Sequence, residues 1–97
     1  MDISGMDIVS VDDNKNNLLI IEAYAQILGA HVKSFTLPQE ALEYLQTHSC
    51  DMLITDYMMP EINGIELVKS FREKDKQTPI VMVTAVGDNI ALHMEAL

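Results

Sequence analysis

Basic residues are scarce in this chain: 6 Lys+Arg stand against 15 Asp+Glu over 97 residues, for a net charge of -9. Such a surface repels phosphate backbones and anionic headgroups, which argues against direct nucleic-acid or membrane-surface binding by this segment. Cations and basic protein surfaces are the ligands it attracts. A single cysteine, Cys50, cannot form an internal disulfide, and the chain opens with neither a basic stretch nor a long apolar run of the secretory type. No apolar run approaches the roughly 20 residues that cross a bilayer. The expectation from these absences is a reduced, cytoplasmic, soluble protein. Repeats and low-complexity tracts are also missing, and 97 residues suffice for one modest core without a second domain.

What the chain does contain is an alternation of short apolar runs with amphipathic segments. That is the pattern of strand-helix-strand units, a parallel sheet with helices on both faces. Residues 7–11 read as a first strand. Asp13 or Asn14 can then cap a helix in which Leu18, Ile21, Ala25 and Leu28 recur at helical spacing, ended by Gly29. Residues 31–35 alternate as an edge strand does, and Pro38 opens a second helix that buries Ala41, Leu42 and Leu45. Residues 51–55 are apolar almost throughout and belong at the centre of the sheet. A loop over 57–63 leads to a third helix from Gly64, with Ile65, Val68 and Phe71 inward and Lys69, Arg72 and Lys74 toward its carboxyl end. Pro79 introduces a fourth strand over 80–84. In the last segment, 88–97, Ile90, Met94 and Leu97 fall at helical spacing, and no stop signal follows, so the chain reads as part of a longer domain. Residues 1–5 are expected to be a flexible lead.

The chemistry concentrates where strands end. Asp56 follows the apolar run Met52-Leu53-Ile54-Thr55, and Asp12-Asp13 follows the first strand. In an open parallel sheet ligands bind beyond the carboxyl ends of the strands, and Asp12, Asp13, Asp56 and Thr84 all fall there. Crowded carboxylates repel one another unless a hard cation intervenes, and Mg2+ accepts one or two carboxylates, a backbone carbonyl and waters. A half-hydrated site of this kind suits phosphoryl transfer: the metal shields the phosphate's charge, a carboxylate attacks phosphorus to form an acyl phosphate, and Thr84 is available to the phosphoryl oxygens.

Taken together, the pair Asp12-Asp13, Asp56 with Met59-Pro60, the Asn63-Gly64 turn and Thr84-Ala85 make the chain resemble the receiver domains of two-component response regulators, over essentially all 97 residues. The resemblance implies a flavodoxin-like α/β fold, a doubly wound parallel sheet of order 2-1-3-4, with the family's fifth strand and last helix absent from the chain. It implies that Asp56 is the phosphoacceptor, that Asp13 binds Mg2+ directly and Asp12 partly through water, that Met58 gives a backbone carbonyl to the metal, and that Thr84 is the switch hydroxyl. The donor is then a histidine kinase or phosphotransfer protein, and the output passes to another domain or effector protein. On this reading the chain is a signalling switch that assists its own phosphorylation and dephosphorylation rather than an enzyme. The lysine and switch aromatic that the family carries on its fifth strand have no counterpart here, and Lys69, Lys74 and Lys76 lie on or after the third helix. Loss of that strand leaves strand four as an apolar edge, for which strand exchange or a homo-oligomer is the expected consequence. Met58 and Val86, both apolar, occupy positions that in this family flank the hydrolytic water, so a long-lived acyl phosphate is expected.

Each feature also has a plainer reading. Asp12-Asp13 can be a helix cap, Asp56 a solvated turn residue before Pro60, Thr84 a β-branched strand residue and Asn63-Gly64 an ordinary turn. They persuade as a set. A pseudo-receiver, keeping the fold as a protein-binding module without phosphate chemistry, remains the alternative. An aspartyl phosphatase requires an acid two residues after its nucleophile, where this chain has Met58. His31, His48 and His93 lack ligand spacing, and Cys50 reads as a small apolar filler.

Overall fold

The computed structural model describes residues 2–57, 59, 63–86 and 89–95, with side chains through Val83 and backbone alone beyond it. The elements follow in the order β1 (Asp7–Val11), α1 (Lys15–Ile27), β2 (His31–Phe35), α2 (Pro38–Thr47), β3 (Met52–Asp56), α3 (Gly64–Lys74), β4 (Ile80–Val86) and β5 (Asn89–Glu95). The sheet runs β2-β1-β3-β4-β5. The first four strands are parallel, as expected from the alternation of strand and helix, and β2 lies at an edge.

Helices cover both faces. Val9, Val11, Leu53, Ile80 and Met82 point from the sheet toward Ala41 of α2 and Leu67, Val68 and Phe71 of α3. The alternate residues, Ile8, Met52 and Val81, pack with Ala25 of α1 and with Ala30. Two-residue alternation along each strand divides the apolar side chains between these layers, so central strands must be apolar on both sides. Leu53, Leu67 and Ile80 are fully enclosed.

The local signals act as their chemistry dictates. Asn14, rather than Asp13, caps α1, its Oδ1 accepting from the Asn16 N–H at 2.9 Å. Gly29 ends that helix at φ +82°, where a side chain is disfavoured. Its N–H donates to the Gln26 carbonyl, and that of Ala30 to the Ala25 carbonyl at 2.9 Å, the paired bonds that close a helix through a left-handed residue. Asn63 caps α3 by accepting from the Glu66 N–H at 2.9 Å. One expected core position fails: Leu28 is 55 % exposed, because α1 ends at Ile27 and the backbone turns away there. Leu19, Ile20, Tyr24 and Ile27 are also exposed on α1.

The last segment is a correction. Instead of a helix, residues 89–95 form β5, antiparallel to β4 from Val86↔Asn89 to Ile80↔Glu95. Ile90, Leu92 and Met94 alternate with Asn89, Ala91, His93 and Glu95, a period of two that coexists with the helical spacing. Gly87 and Asp88, which lie between the strands in sequence, fall outside the described residues. A helix would satisfy its own backbone but leave one side of β4 unpaired, whereas β5 pairs the side that β3 does not. The open β4 edge from which strand exchange was expected is therefore absent among the described residues.

Cys50 precedes β3 within the core formed with α2 and α3. Burial, followed by the negative charge of Asp75, pushes its thiol up to about 11. The thiolate is the reactive form, so the folded chain should resist a disulfide reagent at pH 8 and react only on unfolding. Because the folded thiol holds its proton more tightly, its contribution to stability should be complete below the ordinary value of 9.0 and lost as pH rises toward about 11. Thiol titration of native and denatured chain tests this, and prompt native-state reaction at pH 8 would contradict it.

Candidate functional site

The acidic site forms where β1 and β3 end side by side. The two strands pair from Ile8↔Met52 to Val11↔Thr55, so the next residue of each, Asp12 and Asp56, emerges at the same edge. Asp12 is anchored by its N–H, which donates to the Phe35 carbonyl at the end of β2 at 3.1 Å. Asp56 is the final residue of β3, one place beyond the expected strand end, and pairs in register with Val83. The Tyr57 N–H donates to the Val83 carbonyl at 3.0 Å and continues the ladder past it.

Carboxylate oxygens of Asp12, Asp13 and Asp56 all lie within 4.8 Å of one another. Asp12 is buried at 1 % exposure, Asp13 is exposed and Asp56 is half-buried. The site thus has a floor, a rim and a wall. Asp12 Oδ1 accepts from the Asn14 N–H at 2.9 Å, and its Oδ2 accepts from Asn17 Nδ2 at 3.1 Å. Burial nevertheless lifts its carboxyl above the usual carboxylate range; the two hydrogen bonds oppose the rise and the neighbouring Asp13 charge adds to it. A carboxylate in that position is stabilised by a cation.

The donor set fits a hard divalent ion. Octahedral Mg2+ with metal–oxygen distances of about 2.1 Å needs oxygens about 3 to 4.2 Å apart, a spacing that fits inside the 4.8 Å within which the three carboxylates lie. All three candidate donors are carboxylate oxygens, and the exposed Asp13 leaves one side of the group open to solvent. Among the described residues no other group of three acidic, histidine or cysteine side chains converges in this way. His31 begins β2 and His48 follows α2, away from the acidic edge.

Thr84 continues β4 one residue beyond the partner of Asp56, and its backbone pairs in register with Ala91. Its side chain and that of Val86 lie outside the described residues, as does Met58 altogether. Lys69 and Lys76 are exposed, and Lys74 Nζ donates to the Gln46 carbonyl at 2.9 Å, near the end of α2.

Two contributors escaped the sequence reading. Asn17 is one, since its amide reaches back to Asp12 from the first turn of α1. Its only advance signal is its position one turn inside a helix that starts beside the acids. The other is the steric role of Gly64. Its N–H donates to the Tyr57 carbonyl at 2.8 Å. A Cβ at this position would press into the Asp56 carbonyl oxygen and lie 3.0 Å from Tyr57 Cα, so only glycine lets α3 begin directly against the phosphoacceptor candidate's backbone.

Comparison with known proteins adds independent findings. A sequence profile described as the response regulator receiver domain matches residues 8–97. The probable transcriptional regulator ycf27 of Cyanidium caldarium is 37% identical over 78 residues, covering 80% of this chain and 31% of that protein. The sensor protein EvgS of Escherichia coli K12 is 34% identical over 80 residues, 82% of this chain but 7% of that protein. The chain therefore spans a third or less of these curated relatives. Among solved structures, the response regulator protein TrrA of Thermotoga maritima, in complex with Mg2+ and beryllium fluoride, superposes with a TM-score of 0.78 at 30% identity, covering 84% of this chain and 70% of that one.

Proposed function

Because the chain belongs to the response regulator receiver domains, which are signalling switches, we propose that Asp56 accepts a phosphoryl group from the phosphohistidine of a histidine kinase or phosphotransfer protein. The observation that carries this reading is the convergence of Asp12, Asp13 and Asp56 at the carboxyl edge of the parallel sheet. The relatives extend the support, since they include a sensor protein and a transcriptional regulator, the two ends of such a relay.

Asp12, Asp13 and the Asp56 carboxylate are the residues that would hold Mg2+, which when bound offsets the charge between the carboxylate and the incoming phosphate. An Asp56 oxygen attacks phosphorus, the bond from phosphorus to the donor imidazole nitrogen breaks, and that nitrogen leaves with its electron pair. The acyl phosphate formed adds negative charge at an edge that Thr84 shares, and its hydroxyl is the group proposed to hydrogen-bond the phosphoryl oxygens. That pull on β4 is the proposed route to an effector protein or output domain. The Met58 carbonyl completes the proposed ligand set. Assistance to its own phosphorylation and dephosphorylation belongs to the same proposal, as does action in the cytoplasm; among the described residues no helix is long and apolar enough to cross a membrane.

Mass spectrometry after incubation with Mg2+ and a small acyl phosphate tests the reading. The chain should gain one phosphoryl mass, lose it on treatment with hydroxylamine, and gain none as Asp56→Asn or in excess chelator. An intact, folded chain that never gains the mass would leave a protein-binding module without phosphate chemistry.

A further inference from the structure

Asp12 is the member of the acidic trio that solvent does not reach, at 1 % exposure, and its orientation is set by two donors. One is the backbone N–H of Asn14, which any residue there except proline would supply. The other is the side-chain amide of Asn17, five residues away on α1, at 3.1 Å from Oδ2. With one oxygen held by each donor, the carboxylate plane cannot rotate without breaking a hydrogen bond, and rotation in a buried setting leaves the amide or the oxygen unpaired.

We propose that Asn17 is a positioning residue for divalent-cation binding, holding the Asp12 carboxylate in the orientation that presents it to Asp13 and Asp56. The inference rests on the reading of this trio as a Mg2+ site. Its physical basis is the difference between cations. Mg2+ requires near-ideal octahedral geometry and tolerates little ligand disorder, whereas Ca2+ accepts variable, longer coordination. A group that fixes one ligand's orientation should therefore matter more for Mg2+ than for Ca2+. A group that only supports the fold should not distinguish the two.

The test measures Mg2+ and Ca2+ affinities of the chain by calorimetry, for the wild type, Asn17→Ala and Asn17→Gln, with thermal melts in chelator alongside. Loss of an outer-shell partner typically weakens metal binding by about 10- to 100-fold. We expect Asn17→Ala to weaken Mg2+ at the lower end of that range and Ca2+ by less than about threefold, with the longer amide of Asn17→Gln recovering part of the Mg2+ loss. Equal weakening for both ions, or unchanged Mg2+ affinity with a lower melting temperature, would overturn the proposal and leave Asn17 a structural residue. If Asn17→Ala does not fold, the selectivity of Asn17→Gln decides alone: a Mg2+/Ca2+ ratio at the wild-type value despite a weakened fold overturns it. A wild-type chain that binds neither ion would instead defeat the metal-site reading itself, so the two failures are distinct.

Discussion

Asp12→Asn should raise the melting temperature of the metal-free chain at neutral pH while abolishing its stabilisation by Mg2+. The first effect follows from the raised Asp12 carboxyl, whose leading cause is burial. When folding raises an acid's pKa, the folded state holds the proton more tightly, so the group's contribution is present below its unfolded value and lost as pH rises through the folded one. A negative charge at this buried position beside Asp13 and Asp56 is therefore a liability, and a neutral amide of the same shape removes it. Asn17 can rotate its own amide to offer an acceptor to the new donor. The second effect follows from the loss of the innermost anion of the proposed Mg2+ site. For the wild type, Mg2+ at ten times its dissociation constant should stabilise by about 1.4 kcal/mol, roughly 6–11 °C for a domain of this size. Paired melts with chelator and with Mg2+ measure both effects. An Asn variant that melts lower than wild type in chelator, or retains the Mg2+ shift, would contradict the burial and ligand assignments respectively.

Gly64→Ala should cost about 3 kcal/mol or more, at or above the top of the usual range for overpacking. The added methyl group meets the Asp56 carbonyl oxygen and Tyr57 Cα, which are backbone atoms unable to swing aside as a side chain could. Relief requires α3 to retreat, and α3 supplies Leu67, Val68 and Phe71 to the core beneath. Alanine's lower unfolded-state entropy returns only about 0.4–1 kcal/mol. Since the displaced atom belongs to Asp56, Mg2+ affinity should fall along with stability. Chemical denaturation with and without Mg2+ separates the two losses, and a variant within 1 kcal/mol of wild type would show that the connection yields more easily than its packing implies.

The elements were legible in the sequence wherever one periodicity had no competitor. Val9, Val11 and Leu53 could only be core strand residues, and Asp13 or Asn14, Gly29 and Pro38 marked helix ends because their chemistry acts within a few residues, whereas the choice of Asn14 and the capping of α3 by Asn63 emerged only from the structure. The segment containing Ile90, Leu92, Met94 and Leu97 carried two periodicities at once, and the choice between them lay with the neighbouring strand. Pairing with β4 decided it. The burial of Leu28 was misjudged for a related reason: spacing identifies a face but not where the helix stops.

The same division holds at the site. Strand patterning alone determined that acids following β1 and β3 share an edge, because parallel neighbours joined by helices end on the same side of the sheet. The resemblance gave the two adjacent acids different roles, but only the tertiary structure revealed their different burial, sinking Asp12 beneath the start of α1 while leaving Asp13 in solvent. Only it connected Asn17 to Asp12 and set Gly64 against Asp56. Hydrophobic period and capping are properties of consecutive residues and can be read in order along the chain. Burial, ligand orientation and close backbone approach depend on residues from different segments, and acquire values only when those segments pack.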